Sequence, residues 1–245
     1  MRFYGLVFLS LMRVFQLSAL IVESDQLADV RKYLTPGCLL MFDIDNTLAH
    51  PIGLIGSDEW FVHMIEQQKG QGKDFIQALN NVLPIYYEVQ LKVPLQLIEQ
   101  STPQLLIELQ KEGVDVIALT ARSLPLVNRT IEQLSAIDID FSHNHIGPVF
   151  VLRNAPHLYM YKRGILFSGD NNKGEALMDF LAYCDMKPEK IIFVDDKLHN
   201  LHKVEAVVEQ QDIPFVGIRY CRLDEHVQNF DEQLADNELH AFHHI

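Results

Sequence analysis

Two acids spaced by one residue, Asp43-Ile44-Asp45, close the apolar run Cys38-Leu-Leu-Met-Phe42 and lead into Asn46-Thr47. A second acidic pair, Asp195-Asp196, closes the run Ile191-Ile-Phe-Val194. A third run ends in Leu119-Thr120-Ala121-Arg122, and a fourth is followed by Gly169-Asp-Asn-Asn-Lys173-Gly174. Each of these residue types has a role in phosphoryl transfer. A carboxylate such as Asp43 can attack phosphorus in line and form an aspartyl-phosphate, which splits one hard step into two. Because that attack brings an anion to an anion, the repulsion must be offset. Carboxylates at Asp43 and Asp195 suit Mg²⁺, which prefers oxygen ligands and keeps several waters. Asp45, at the end of the strand, can protonate the leaving oxygen and later deprotonate the attacking water. Thr120 and the backbone N–H groups after it, beginning with Ala121, can hold phosphate oxygens, and Lys173 adds a point charge.

Singly, each signal has a plainer reading. An isolated Asp-x-Asp-x-Thr most often caps the turn after a strand, an Asp-Asp pair is common in turns, and Thr-Ala-Arg alone carries almost no information. A calcium loop at Asp43–Thr47 fails, because Leu48 stands where glycine is required and Leu54 where a bidentate glutamate is required. The joint occurrence of all four at strand ends is what points to a site. The other candidates read as structural. His199 and His202, and His143 and His145, lack a third ligand and read as solvated surface histidines. The tail His240-Ala-Phe-His-His244 reads as an amphipathic terminal segment, and Trp60, Phe61, Tyr86 and Tyr87 read as packing a small core of their own.

Such residues need a frame that brings them together. Besides the four runs above, Ile213-Pro-Phe-Val-Gly-Ile218 gives a fifth, and helix-sized segments separate them. Nearly continuous apolar runs of this kind predict strands buried on both faces of a parallel sheet. Thr102-Pro103 predicts a helix start, and Leu124–Leu134, Lys173–Tyr183 and Leu198–Glu209 read as further helices. The expected fold class is α/β, a doubly wound parallel sheet, which binds ligands at the carboxyl ends of its strands. The expected organisation is a core of residues 20–50 and 102–245, with a helical cap inserted at 51–101. Ser57 is its N-cap, Asp58 and Glu59 suit the helix start, and a second helix runs from Lys73 toward Tyr87, limited by Pro84. His143–Pro148 and Arg153–Pro156 read as a short turn-rich insertion. Residues 1–19 read as a signal peptide, with Arg2, an apolar stretch, and Ser18-Ala19 for cleavage. The competing reading makes Val14–Val22 a buried strand or helix. The corresponding locations are periplasmic or secreted, and alternatively cytoplasmic.

Phe42-Asp43-Ile-Asp45-Asn-Thr47-Leu48, Leu119-Thr120-Ala-Arg122, Lys173-Gly174 and Val194-Asp195-Asp196-Lys-Leu-His-Asn200 together resemble the motif set of the haloacid dehalogenase-like phosphatases. The resemblance covers nearly all the chain after residue 37. It implies Asp43 as nucleophile, Asp45 as acid/base, and Thr120 and Lys173 on the phosphate. It also implies Mg²⁺ held by the side chains of Asp43 and Asp195 and the backbone carbonyl of Asp45, with Asp196 and Asn200 in support. The insertion after the first motif matches the family's first type of cap. Gly56-Ser-Asp-Glu-Trp60 and Gly217-Ile-Arg-Tyr220 further resemble a bacterial, often exported branch catalogued as a domain of unknown function. The implied activity is hydrolysis of a small phosphomonoester. A catalytically idle binding module and phosphotransfer to an acceptor alcohol are the alternatives.

Composition is that of an ordinary globular protein. The 245 residues are 48% hydrophobic and 22% charged, ordinary for a globular protein and outside the range of disordered, collagenous or polytopic membrane chains. Thirty-three acidic against twenty basic residues, a net charge of −13, disfavours nucleic acid as a partner, since counterion release needs clustered Lys and Arg. Neither half of the apolar amino terminus reaches the ~18 continuous residues of a membrane span. The three cysteines, Cys38, Cys184 and Cys221, are too few for a disulfide framework.

Overall fold

The computed structural model describes residues 19–143, 146, 149–154, 157–169 and 171–244. Apart from Ala19, the expected leader lies outside the described residues. The elements run β1 (Leu20–Ser24), β2 (Cys38–Phe42), β3 (Ala49–Pro51), α1 (Asp58–Gly70), α2 (Phe75–Lys92), β4 (Leu95–Leu97), α3 (Thr102–Lys111) and β5 (Asp115–Thr120). There follow α4 (Val127–Ser135), β6 (Phe150–Asn154), β7 (His157–Lys162), β8 (Ile165–Phe167), α5 (Lys173–Tyr183) and β9 (Lys190–Asp195). The chain ends with α6 (Leu198–Val208), β10 (Phe215–Tyr220), α7 (Asp224–Gln228) and α8 (Glu232–Phe242).

Eight strands form one sheet in the order β1-β10-β9-β2-β5-β8-β7-β6. Pairing is parallel from β1 through β8 and antiparallel at β8–β7 and β7–β6. All five predicted strands lie in the parallel part. In β2, the alternation of side chains sends Cys38, Leu40 and Phe42 to one face and Leu39 and Met41 to the other, so both faces bury apolar surface. On the first face they meet Leu105, Leu106 and Leu109 of α3 and Val127 and Leu134 of α4. On the second they meet Leu177, Phe180 and Leu181 of α5 and Leu201 and Val204 of α6. The fold is therefore a doubly wound α/β sheet. Succession leaves β2 toward β5 and returns to its other side at β9, so the crevice at the carboxyl ends of β2 and β9 is the switch point where such sheets bind ligands.

Three local expectations differ from what forms. Helix α2 runs through Pro84 to Lys92. Its start is fixed by a capping box of Asp74 and Gln77, and Val82 and Val89 on either side of the proline are buried in the same cluster. That shared packing outweighs the one lost helical hydrogen bond. Arg153 and Asn154, read as turn residues, instead end β6, which pairs antiparallel with β7 and widens the sheet. Tyr159 and Tyr161, two apart, are buried beside Phe180, a period-two pattern that the flanking turn residues obscured. Finally, α8 does not join the sheet. Its Ala235 is buried with Trp60, Met64, Ala78 and Val82 of α1 and α2, and Leu239 and Phe242 pack alongside. A two-helix layer leaves an apolar flank open, and the tail covers it. Glu238 accepts hydrogen bonds from the N–H groups of Leu54 (2.8 Å) and Ile55 (3.2 Å), and His63 meets Asp236 at 3.0 Å.

Candidate active site

At the end of β2, the Asp43 N–H still donates to the Val194 carbonyl (2.8 Å), continuing the parallel ladder. The chain then turns tightly: the N–H groups of Leu48 and Ala49 both donate to the Ile44 carbonyl (2.9 and 3.1 Å). Asn46 takes a positive φ of 56°, which asparagine tolerates better than most residues. This turn returns Asp45 to the strand end. Thr120 ends β5, and its hydroxyl accepts from the Arg122 N–H at 3.1 Å. Thr120 is buried and Ala121 exposed. Lys173 is the first residue of α5, behind the N-cap Asn172, whose side chain accepts from the Gly174 N–H at 2.8 Å. A Cβ on Gly174 would stand 2.4 Å from the Lys203 carbonyl oxygen. Only glycine lets α5 lie against α6 closely enough to aim Lys173 between the two acidic strand ends.

Lys173 Nζ bridges Asp43 Oδ1 and Asp195 Oδ2, each at 2.7 Å, with all three side chains buried. Asp195 also accepts from Asn200 Nδ2 at 3.1 Å on each oxygen and from the Lys197 N–H at 2.8 Å. The Asp196 N–H donates to the Thr47 hydroxyl at 3.2 Å. Asp45 faces a different cation. Arg122 forks onto it, Nε to Oδ2 at 2.9 Å and Nη2 to Oδ1 at 2.7 Å.

Burial pushes the Asp43 carboxyl up to about 7; Lys173 opposes that, while Asp195 and Asp45 add to it. Burial likewise raises Asp196 to about 9, with Asp43 and Asp195 contributing. For Asp45 burial acts in the same sense, but the Arg122 guanidinium outweighs it and holds the carboxyl below its ordinary value. Lys173 goes the other way: burial disfavours its charge, and Asp195 and Asp43 more than restore it.

These residues suit a divalent cation. Carboxylate oxygens of Asp43, Asp195 and Asp196 lie within 4.8 Å of one another, an all-oxygen donor set of the kind Mg²⁺ takes. Asp196 Oδ1 is buried with no hydrogen-bond partner, and a buried carboxylate oxygen left so is costly unless something binds it. Lys173 and Lys197 face four acids here, Asp43, Asp195, Asp196 and the Asp58 that pairs with Lys197, so the cluster keeps an excess of negative charge. The structure thus groups Asp196 directly with Asp43 and Asp195, where a supporting place was expected. Asn200 reaches the cluster through Asp195.

The sequence reading missed the partner of Asp45. Arg122 stands out in the sequence only as part of a motif, yet one arginine at the end of an apolar strand in an acidic chain needs a buried acid. Gln133 was missed as well. Its Oε1 accepts from Arg122 Nη1 at 2.6 Å, and the available signal was polar Thr130 and Gln133 on the apolar stripe of α4 beside Val127 and Leu134. Asp58 pairs with Lys197, and Glu59 accepts from Asn46, so α1 touches the same rim. Trp60 is fully buried and stacks with Tyr86 (6.2 Å between ring centroids), as expected of a local core. Tyr87 instead bonds Ser123 at 3.0 Å across the seam to the sheet. His199, His202 and His143 are exposed, and His145 lies outside the described residues.

Sheet order and strand-end chemistry define a doubly wound α/β protein with a buried carboxylate–lysine centre at its switch point. The chain belongs to the family described as "Protein of unknown function (DUF2608)", which matches residues 23–245. A protein of Chlamydia muridarum is 30% identical over 199 residues, covering 81% of this chain and 73% of that protein. A protein of Chlamydia trachomatis serovar D is 27% identical with the same coverage. Each carries the name "Putative outer membrane protein". A haloacid dehalogenase-like hydrolase from Streptococcus pneumoniae is similar in structure, with a TM-score of 0.42 and 13% identity, covering 73% of this chain and 92% of that one. Among the described residues, no helix is long and apolar enough to cross a membrane.

Proposed function

We propose that this chain is a Mg²⁺-dependent phosphomonoesterase of the haloacid dehalogenase-like type, acting on a small phosphorylated substrate. The observation that supports this most is the buried Asp43–Lys173–Asp195 contact beside the unpartnered Asp196 Oδ1. In this reading an Asp43 oxygen attacks phosphorus while the bond to the leaving oxygen breaks and Asp45 delivers a proton to that oxygen. Water then attacks the aspartyl-phosphate, Asp45 takes its proton, and the bond from phosphorus to Asp43 breaks to release phosphate. Lys173 and the Thr120–Ala121 strand end hold phosphate oxygens. Asp43 and Asp195, with Asp196 and the Asp45 carbonyl, hold Mg²⁺, which when bound supplies the positive charge that keeps these acids ionised and polarises the phosphoryl group.

The arginine fork keeps Asp45 as a carboxylate, ready for the second step. In the first step the same fork sets the direction from which Asp45, once protonated, reaches the leaving oxygen. Residues 51–101 serve as a cap over the rim, with Asp58, Glu59 and Tyr87 at the seam. The apolar leader pattern and the names carried by the chlamydial relatives support export to the cell envelope, and mass spectrometry of the mature amino terminus tests it. The test of function is a panel of phosphorylated metabolites assayed with and without Mg²⁺. Mg²⁺-dependent phosphate release is expected, and none across the panel overturns the reading.

A further inference from the structure

Gln133 uses both ends of its side-chain amide. Its Oε1 accepts from Arg122 Nη1 at 2.6 Å. Its Nε2 donates to the carbonyls of Val93 (2.9 Å) and Gln90 (3.3 Å), the C-cap and last turn of α2. Only one orientation of the amide is allowed, because a guanidinium offers only donors and carbonyls only accept. Arg122 Nη1 also reaches Thr130 Oγ1 at 3.3 Å, leaving Nε and Nη2 for Asp45. Gln133, Arg122 and Gln90 are 2%, 4% and 0% exposed, so water does not substitute for these bonds. The Gln90 side chain in turn donates to the Gly56 carbonyl (2.6 Å) and to the Tyr86 hydroxyl (3.0 Å). One buried chain of hydrogen bonds therefore runs from the helical layer to the Asp45 carboxylate.

We propose that Gln133 is a positioning residue that ties the placement of Arg122, and through it Asp45, to the seating of α2, aligning the proton-transfer carboxylate only when the helical layer is docked. This rests on the phosphatase reading above. Arg129 is the internal control. It donates to the same two carbonyls, at 3.3 and 3.0 Å, and its ion pair is with Glu132.

The test compares two substrates with opposite needs. An alkyl phosphate needs its leaving oxygen protonated, whereas p-nitrophenyl phosphate releases a stable anion. In the full-length protein with Mg²⁺, Gln133→Met is expected to lower kcat/KM for the alkyl ester by on the order of tenfold to a hundredfold, the scale of misaligned proton transfer. The aryl ester is expected to change by less than about twofold, since it needs no proton from Asp45. Gln133→Glu keeps the oxygen on Arg122 but loses the donor, and serves if the methionine variant does not fold. It is expected to show the same contrast. Arg129→Met is expected to show none. Equal losses on both esters, or the same contrast in Arg129→Met, overturn the proposal. Hydrogen exchange reads the linkage without turnover: residues 89–97 are expected to exchange faster in either Gln133 variant, and unchanged exchange overturns it. A wild-type protein inactive on both esters defeats the phosphatase reading, and exchange then decides the linkage alone.

Discussion

Asp43 and Asp45 are two residues apart on one strand end, and their surroundings push them in opposite directions. Asp43 shares a lysine with Asp195 and is raised to about 7. Asp45 has an arginine to itself and is held below its ordinary value. The difference is one of charge balance. Around Lys173 and Lys197 four acids face two cations, whereas around Arg122 one carboxylate meets one planar fork of matching geometry. The first arrangement is incomplete as built and calls for another positive charge; the second is complete. The largest expected effect follows from this. Asp43→Asn removes the nucleophile and should lower phosphate release by about 10³-fold or more. The same change deletes one of several crowded acids while its oxygen can still accept from Lys173, so the melting temperature without Mg²⁺ should not fall. A variant that unfolds, or one that keeps its activity, breaks the assignment.

Removing each cation in turn sharpens the contrast. Breaking a buried ion pair from one side costs about 3–5 kcal/mol, so Lys173→Met and Arg122→Met should both lower the melting temperature markedly. Mg²⁺ separates them. It should recover much of the loss in Lys173→Met, where Asp43 and Asp195 remain to bind it. It should recover little in Arg122→Met, whose stranded acid is not one of the three grouped carboxylates. Equal recovery in both would mean that the two acids are not electrostatically distinct.

The pH dependence carries the same logic with a definite sign. Asp43 and Asp196, at about 7 and about 9 in the folded chain, hold protons that the unfolded chain gives up near its ordinary value of 3.8. Where the native state binds more protons, stability falls as pH rises. The Mg²⁺-free protein should therefore lose stability between about pH 5 and pH 9. Binding a cation displaces those protons, so the Mg²⁺-induced rise in melting temperature should be larger at pH 8 than at pH 5.5. Thermal scans at both values measure it, and an equal rise at the two contradicts the charge account.

Much of this frame was legible because it repeats a simple rule. Cys38–Phe42, Asp115–Thr120 and Lys190–Asp195 are apolar runs bounded by charge, and sheet burial on both faces demands such runs. The acids that the structure groups, Asp43, Asp195 and Asp196, were legible because they stand where those runs stop. Arg122 and Gln133 were harder, since what identifies them is a partner 77 or 11 residues away, and spacing along the chain does not encode that. The hairpin of β6 and β7 was hidden by flanking turn residues. The place of α8 was hidden because its apolar stripe fits any open flank, and only the folded α1–α2 layer reveals which flank needs covering.

The smallest expected effect tests whether burial or mere pairing separates the two centres. Asp58 on α1 pairs with Lys197 at the rim, with side chains 27% and 38% exposed. Water reaches both, so the attraction is screened and the ordering of two flexible side chains offsets part of it; such pairs are worth about 0.2–1 kcal/mol. Asp58→Asn should therefore change stability by less than about 1 kcal/mol, even though it removes an ion pair within the same rim as Arg122→Met. Denaturant titration of the two variants side by side makes the comparison. If Asp58→Asn costs as much as Arg122→Met, desolvation is not what makes the Asp45 pair strong. The contrast between the two aspartates would then have to come from geometry alone, from a fork that fits against a point charge that is shared.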